Sequence, residues 1–177
     1  MPNIIRIAAA LLIDPQGRTL LVRKRGTEAF MQPGGKIDAG ETPVQALVRE
    51  LQEELGLRID PAQAMHLGQF SAPAANEPGF EVQAELFRVD SAAAVVPAAE
   101  IEEVVWLAAD QAPVMPLAPL TRDLILPLYR QALAIFHEQA PWIALAHPKQ
   151  FVALRKGVEG FVLSPLGSNN FARVKLP

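Results

Sequence analysis

The chain has 177 residues, a formal charge of −3 and no cysteine. That length fits one domain of ordinary size with enough apolar residues for a core. The composition excludes a disulfide framework, a thiolate metal site and a cysteine nucleophile. With no long basic run it shows no broad nucleic-acid footprint.

In chain order, the first expected element is the apolar run 7–13, a buried strand ending at the turn Asp14-Pro15-Gln16-Gly17. The run is short for a signal core, Asp14 interrupts it and no cleavage site follows. Nothing approaches a membrane-spanning length, so cytoplasmic residence is the expectation. Residues 19–25 read as a second strand, with Arg23 and Arg25 alternating onto one side near a glycine loop. Both are candidates for contacting a substrate phosphate.

A helix is expected after Thr42, which reads as an N-cap with Pro43 at the first helical position and Gln45 reaching back. Val44, Leu47, Val48, Leu51 and Leu55 form one apolar stripe, and Gly56 ends the helix in a left-handed turn. Glu50, Glu53 and Glu54 stand at i, i+3 and i+4 and so share a face. Taken alone, such a cluster is a solvated helix face, with Arg49 paired to Glu53. A hard divalent cation held by oxygen ligands would relieve the repulsion among the three carboxylates.

Further strands are expected at 65–70 and 80–89, the latter alternating Phe80, Val82, Ala84 and Leu86 with more polar neighbours. The Pro- and Ala-rich segment 71–79 between them reads as a loop, and as a candidate pocket wall. Glu100, Glu102 and Glu103 precede a strand at 104–107, whose Trp106 is expected to pack within an apolar run. A helix follows from about Thr121. Strands interleaved with helices predict an α/β fold, a mixed sheet between helical layers.

From Gly35 to Leu57 the residues spell G-x5-E-x7-R-E-U-x-E-E-x-G-U, with U aliphatic, filled by Gly35, Glu41, Arg49, Glu50, Leu51, Glu53, Glu54, Gly56 and Leu57. This resembles the box of the Nudix hydrolases at every fixed position. The resemblance implies the Nudix fold, an α/β/α sandwich, over residues 1–128. It also implies Mg2+ or Mn2+ bound by Glu50, Glu53 and Glu54, with a carbonyl contributed around Gly34 and Gly35. Arg49 would orient the carboxylates, and water would attack one phosphorus of a nucleoside diphosphate linked to a group X. Glu53 is the first choice for an indispensable carboxylate; base and ligand roles are not separable at this level. Catalytic roles are thus expected for Glu53, Arg49 and Glu50. Many Nudix enzymes recruit one more carboxylate, for which Glu100 is the candidate and Glu103 the reserve, with Glu41 a further acidic group of the box. The cysteine that the isoprenoid isomerase branch relies on is missing. Nucleoside triphosphates and ADP-ribose-like diphosphates are the substrate classes that resemblance leaves, and a homodimer is compatible with the family.

From about residue 129 the text changes. Residues 135–142, Ala146-His147, 155–162 and 165–167 resemble the C-terminal end of periplasmic dipeptide-binding proteins of transporters. The remaining lobes of that family are missing, so residues 129–177 are expected to be a C-terminal extension. A gene fusion explains it, as does an ordinary extension packing on the domain or on a second copy. His137 and His147 are expected to be surface or packing residues. Function then divides between a metal-dependent pyrophosphohydrolase and a Nudix-fold module that senses a nucleotide without turning it over, with a transporter-associated role suggested only by the tail.

Overall fold

The computed structural model describes residues 3–139. Six strands and two helices follow in order: β1 (Asn3–Ile13), β2 (Thr19–Lys24), β3 (Gly34–Lys36), α1 (Pro43–Leu55), β4 (Met65–Pro73), β5 (Phe80–Asp90), β6 (Ile101–Leu107) and α2 (Leu126–Gln139). A 3-10 turn at Pro61–Gln63 leads into β4, and a π-type turn at Thr121–Ile125 leads into α2. The sheet runs β4-β5-β1-β2-β6. β1 and β5 are parallel along their whole lengths, and the other pairings among these six strands are antiparallel. The free edge of β1 is shared, by β3 beside Ile7 to Ala9 and by β2 beside Ile13.

The central strand explains the layering. Successive side chains of a strand point to opposite faces. Ala8, Ala10 and Leu12 accordingly pack with Ala46, Leu47, Leu51 and Leu55 of α1. Ala9, Leu11 and Ile13 pack on the other side with Leu120, Ile125 and Tyr129. A strand covered on both faces needs no polar alternation, which is why residues 8–13 are uniformly apolar. Each fully buried leucine of α1 contributes about 2 kcal/mol through burial. The result is the expected α/β/α sandwich with a mixed sheet.

Helix α1 forms as its sequence dictates. The Thr42 side chain accepts from Gln45 N, and the Gln45 side chain accepts from Thr42 N, closing the capping box. Gly56 caps the other end at φ 64, its N–H donating to Gln52 O. The segment after β5 then takes up the last carbonyls, with Val96 N donating to Leu55 O and Ala98 N to Glu54 O. These groups would otherwise be orphans at the helix end.

Some expected boundaries move. β1 begins at Asn3, because its pairing with β5 starts at Asn3 and Phe80, where backbone bonds hold even though side chains are exposed. β4 continues to Pro73, paired with Glu81, so the expected loop shortens to 74–79. β6 begins at Ile101. β3 was not anticipated at all: three residues rich in glycine carry no periodicity to read. The helix carrying residue 128 runs on to Gln139. Tyr129 on it is buried and donates its hydroxyl to Gly17 O at 2.7 Å. Expectations for residues 140–177, His147 among them, lie outside the described residues. Among those described, no helix is long and apolar enough to cross a membrane.

The β1–β2 turn is held by Asp14. One carboxylate oxygen accepts from Gln16 N and Arg18 N, and the other from the Arg18 guanidinium at 2.6 Å. Burial acts to raise its pKa, but these hydrogen bonds outweigh burial and hold it below the usual 3.8. Its stabilising contribution is therefore complete above pH 4 and is lost as the pH falls through the lowered value. Asp14→Ala is expected to cost about 1–2 kcal/mol at pH 7. Urea denaturation at pH 7 and at successively lower pH below 3.8 would show the deficit shrinking as Asp14 is protonated.

Candidate active site

Helix α1 lies across β3, and this crossing builds the site. Pro33 O accepts from Ala10 N, drawing residues 33–36 along the edge of β1. Gly34 there adopts φ 140, and a Cβ would strike Ala8 O. Gly35 faces the helix, and a Cβ on it would overlap the Glu50 carboxylate. Gly34 thus lets β3 lie close against β1, and Gly35 lets a helix carboxylate lie directly against strand backbone.

A chain of ion pairs sets where the carboxylates point. Arg49 clasps Glu41 with two hydrogen bonds, Nε to Oε1 at 2.8 Å and Nη2 to Oε2 at 2.9 Å. The same guanidinium donates to Lys36 O at 3.1 Å and to Glu50 Oε1 at 2.8 Å. Glu53 is 3.5 Å away and otherwise faces solvent. The Arg49 hydrogen bonds hold the Glu41 carboxyl down to about 2, and Glu41 and Glu50 raise Arg49 further above its already high value. Glu41 is therefore an anchor for Arg49, and Arg49 an anchor for Glu50.

Glu54 points the other way, into the protein, with the residue 1% exposed. Its Oε2 accepts from Gly34 N at 2.9 Å. Lys24 Nζ stands 3.1 Å from Oε1 as an ion pair, yet not in hydrogen-bonding alignment, so Oε1 has no hydrogen bond among the described residues. Burial raises the Glu54 pKa, opposed by the Lys24 ammonium. Lys24 also pairs with Glu100, and although burial works against its charge, the two carboxylates together raise its pKa.

Beside these groups opens a cleft of about 480 Å³, a size usual for small-molecule sites. Gly35, Glu50, Glu53, Lys24 and Glu100 line one part; Ile5, Ile7, Val82 and Leu120 supply apolar wall. Ala75, Asn76 and Glu77 of the loop after β4 also line it, as the composition of that loop suggested.

The structure thus gathers Gly35, Glu50, Glu53 and Glu100 at the cleft and places Glu54 beneath it. Arg23, Arg25 and Glu103 are not brought to it. Arg23 bonds to Glu102 at 2.7 Å and Glu103 at 3.0 Å, with its guanidinium 5.8 Å from the centre of the Phe30 ring. Strand alternation explains this: the residue facing the cleft is Lys24, between the two arginines. A bulge after Arg23, where Lys24 pairs with Ile101, brings Glu100 to it. The alternation of Arg23 and Arg25 along β2 carries no signal for Lys24, which lies on the opposite side of the strand. Another cleft-lining residue without a sequence signal is Gln32, which is buried and accepts from the Thr121 hydroxyl at 2.7 Å. The Gln32 Nε2 has no partner among the described residues, and nothing in the local sequence signals this.

Carboxylates of a helix set against a glycine-relieved strand, under a cleft of ligand size, define the candidate site of this α/β/α protein. The NUDIX domain model matches residues 4–128. The chain belongs to that family. A 75-residue stretch, 40% of the chain, is 42% identical to the 8-oxo-dGTP diphosphatase of Haemophilus influenzae and spans 55% of that protein. The crystal structure of a MutT NUDIX hydrolase from Burkholderia pseudomallei superposes with a TM-score of 0.58, covering 73% of this chain and 97% of that one at 22% identity, which shows the shared fold. A stretch of 49 residues, 28% of the chain, is 55% identical to di/tripeptide-binding protein 2 of Pseudomonas aeruginosa, of which it spans 9%. The chain therefore covers under two thirds of both curated relatives.

Among the described residues, no three acidic or histidine side chains converge into a cage for a metal ion. The donor set nonetheless fits a hard divalent cation. Glu54 Oε1 is a buried carboxylate oxygen that meets the Lys24 ammonium at 3.1 Å and has no hydrogen bond among the described residues, and Gly35 leaves room at the Glu50 carboxylate that any Cβ would fill.

Proposed function

We propose that the chain is a divalent-cation-dependent pyrophosphohydrolase that cleaves a nucleoside diphosphate linked to another moiety, by attack of water on phosphorus. The observation that carries this reading is the hydrogen-bonded series Glu41, Arg49, Glu50, which presses a carboxylate against Gly35 at the cleft. Glu50, Glu53, Glu54 and the Gly35 carbonyl would hold Mg2+ or Mn2+. When bound, such an ion neutralises charge on the phosphate oxygens and acidifies water.

The protein's own groups have distinct tasks. Glu53, exposed at the cleft and only loosely paired, would serve as a ligand to the ion or as the group that accepts a proton from the attacking water. Arg49 positions Glu50 and does not need to touch substrate. Glu100, at the rim, is the additional carboxylate, and Lys24 is the cleft cation. Apolar wall from Ile5, Ile7 and Leu120 excludes water from one side of the substrate. Similarity to an 8-oxo-dGTP diphosphatase supports nucleoside triphosphates as the first class to test, with ADP-ribose-like diphosphates second.

A panel of nucleoside triphosphates, ADP-ribose, nucleotide sugars and dinucleotides, incubated with Mg2+ or Mn2+ and analysed for products, checks the assignment. Cleavage of a phosphoric anhydride in one class, abolished by a chelator, is the expected outcome. Nucleotide binding without turnover across the panel would point instead to a sensing module.

A further inference from the structure

Glu54 is the most deeply buried carboxylate of the site, and a buried charge requires a counter-ion. Two cations compete for that position: a divalent ion, on the reading above, and Lys24, whose Nζ is 3.1 Å from Glu54 Oε1. The lysine is itself largely covered, with 23% of its side chain exposed, and it bridges from Glu54 to Glu100. Both residues it bridges are acidic groups of the site, and Lys24, Glu100, Glu50 and Glu53 all line one cleft. The failure of the carboxylates to converge follows from the same arrangement: Glu50 is held by Arg49, and Glu54 by Lys24 and Gly34 N.

We propose that Lys24 is a built-in counter-cation of the site, which competes with a divalent ion for Glu54 and Glu100 and is displaced when the ion binds. The inference rests on the assignment of Glu54 to the cation. An ammonium 3.1 Å from the carboxylate and a divalent ion on the same oxygens repel each other, so ion binding expels the lysine from Glu54. The four-carbon stem lets Nζ swing into the cleft while its stem stays packed. Lys24 thus lowers the affinity for the ion and stabilises the ion-free fold. Metal binding and a free lysine cation in the cleft become one linked event.

Manganese titration of the full chain, followed by electron paramagnetic resonance, compares wild type with Lys24→Met and Lys24→Arg. Lys24→Met is expected to bind Mn2+ about tenfold more tightly, within the usual range for coupled sites, and Lys24→Arg close to wild type. Without Mn2+ the methionine variant melts below wild type, and with saturating Mn2+ the gap closes. Unchanged or weaker Mn2+ affinity in Lys24→Met would overturn the proposal. Should that variant fail to fold, acetylation of Lys24 in wild type, read by mass spectrometry, decides: faster labelling with Mn2+ supports displacement, and equal or slower labelling refutes it. If Mn2+ binds neither protein, both this proposal and the hydrolase reading fall. If Mn2+ competes with Lys24 but no panel substrate is cleaved, displacement stands and only the hydrolase reading falls. Turnover without such competition leaves the hydrolase and removes the lysine's role.

Discussion

Glu53→Gln is expected to lower kcat by about 10²- to 10⁴-fold, the range for loss of a positioned general base. The fold should not respond. Glu53 is 54% exposed, and its one ionic contact among the described residues is the 3.5 Å approach of Arg49, which has stronger partners in Glu41 and Glu50. Glutamine keeps the shape and the helix propensity while removing the charge and the proton acceptor. Steady-state kinetics on the best panel substrate, beside a thermal melt, separates the two effects. A melt within a degree or two of wild type with turnover lost would assign chemistry to Glu53. Turnover retained within about tenfold would move the proton acceptor to another cleft carboxylate, with Glu50 and Glu100 next.

Gly34→Ala should have the largest effect on stability, more than about 3 kcal/mol. Two causes add. The backbone at φ 140 is open to glycine and strained for any other residue. The new Cβ would also collide with Ala8 O and come within 2.8 Å of Ala9 Cα. Those atoms belong to the central strand, buried on both faces, and cannot yield. A shift in the urea midpoint measures the loss. Gly35→Ala is the informative contrast. The three atoms nearest its Cβ all belong to the carboxylate end of the Glu50 side chain, which can swing aside once it gives up Arg49. Stability should change by no more than about 1 kcal/mol, while activity falls because Glu50 leaves its place between Arg49 and the strand. Equal stability loss in both variants would contradict this division between a glycine needed by the fold and one needed by the site.

Local interactions made much of this legible. The capping box from Thr42 to Gln45, the apolar stripe of α1 and the stop at Gly56 depend on residues within a turn or two of one another, so their spacing alone specifies them. The α/β alternation followed from the same kind of signal, and the fixed interval between Gly35 and Glu54 pointed to the acidic helix face. The parallel pairing of β1 with β5 was not readable, since it joins residues nearly eighty positions apart through backbone groups common to all sequences.

The site shows the same division more sharply. Spacing put Glu50, Glu53 and Glu54 on one helix face, but the packing of α1 against β3 sent them to three environments: against Gly35, into solvent and into the core. The same spacing suggested an Arg49–Glu53 pair, whereas the short bonds of Arg49 go to Glu41 and Glu50. On β2 the charge pattern favoured Arg23 and Arg25. Strand orientation and a one-residue bulge turned Lys24 toward the acids instead. The sequence by itself determined which charges exist and which element carries each. The tertiary structure alone decided which of them share a dielectric environment and a partner, because Coulomb and hydrogen-bond energies depend on distance and burial that the order of residues does not contain.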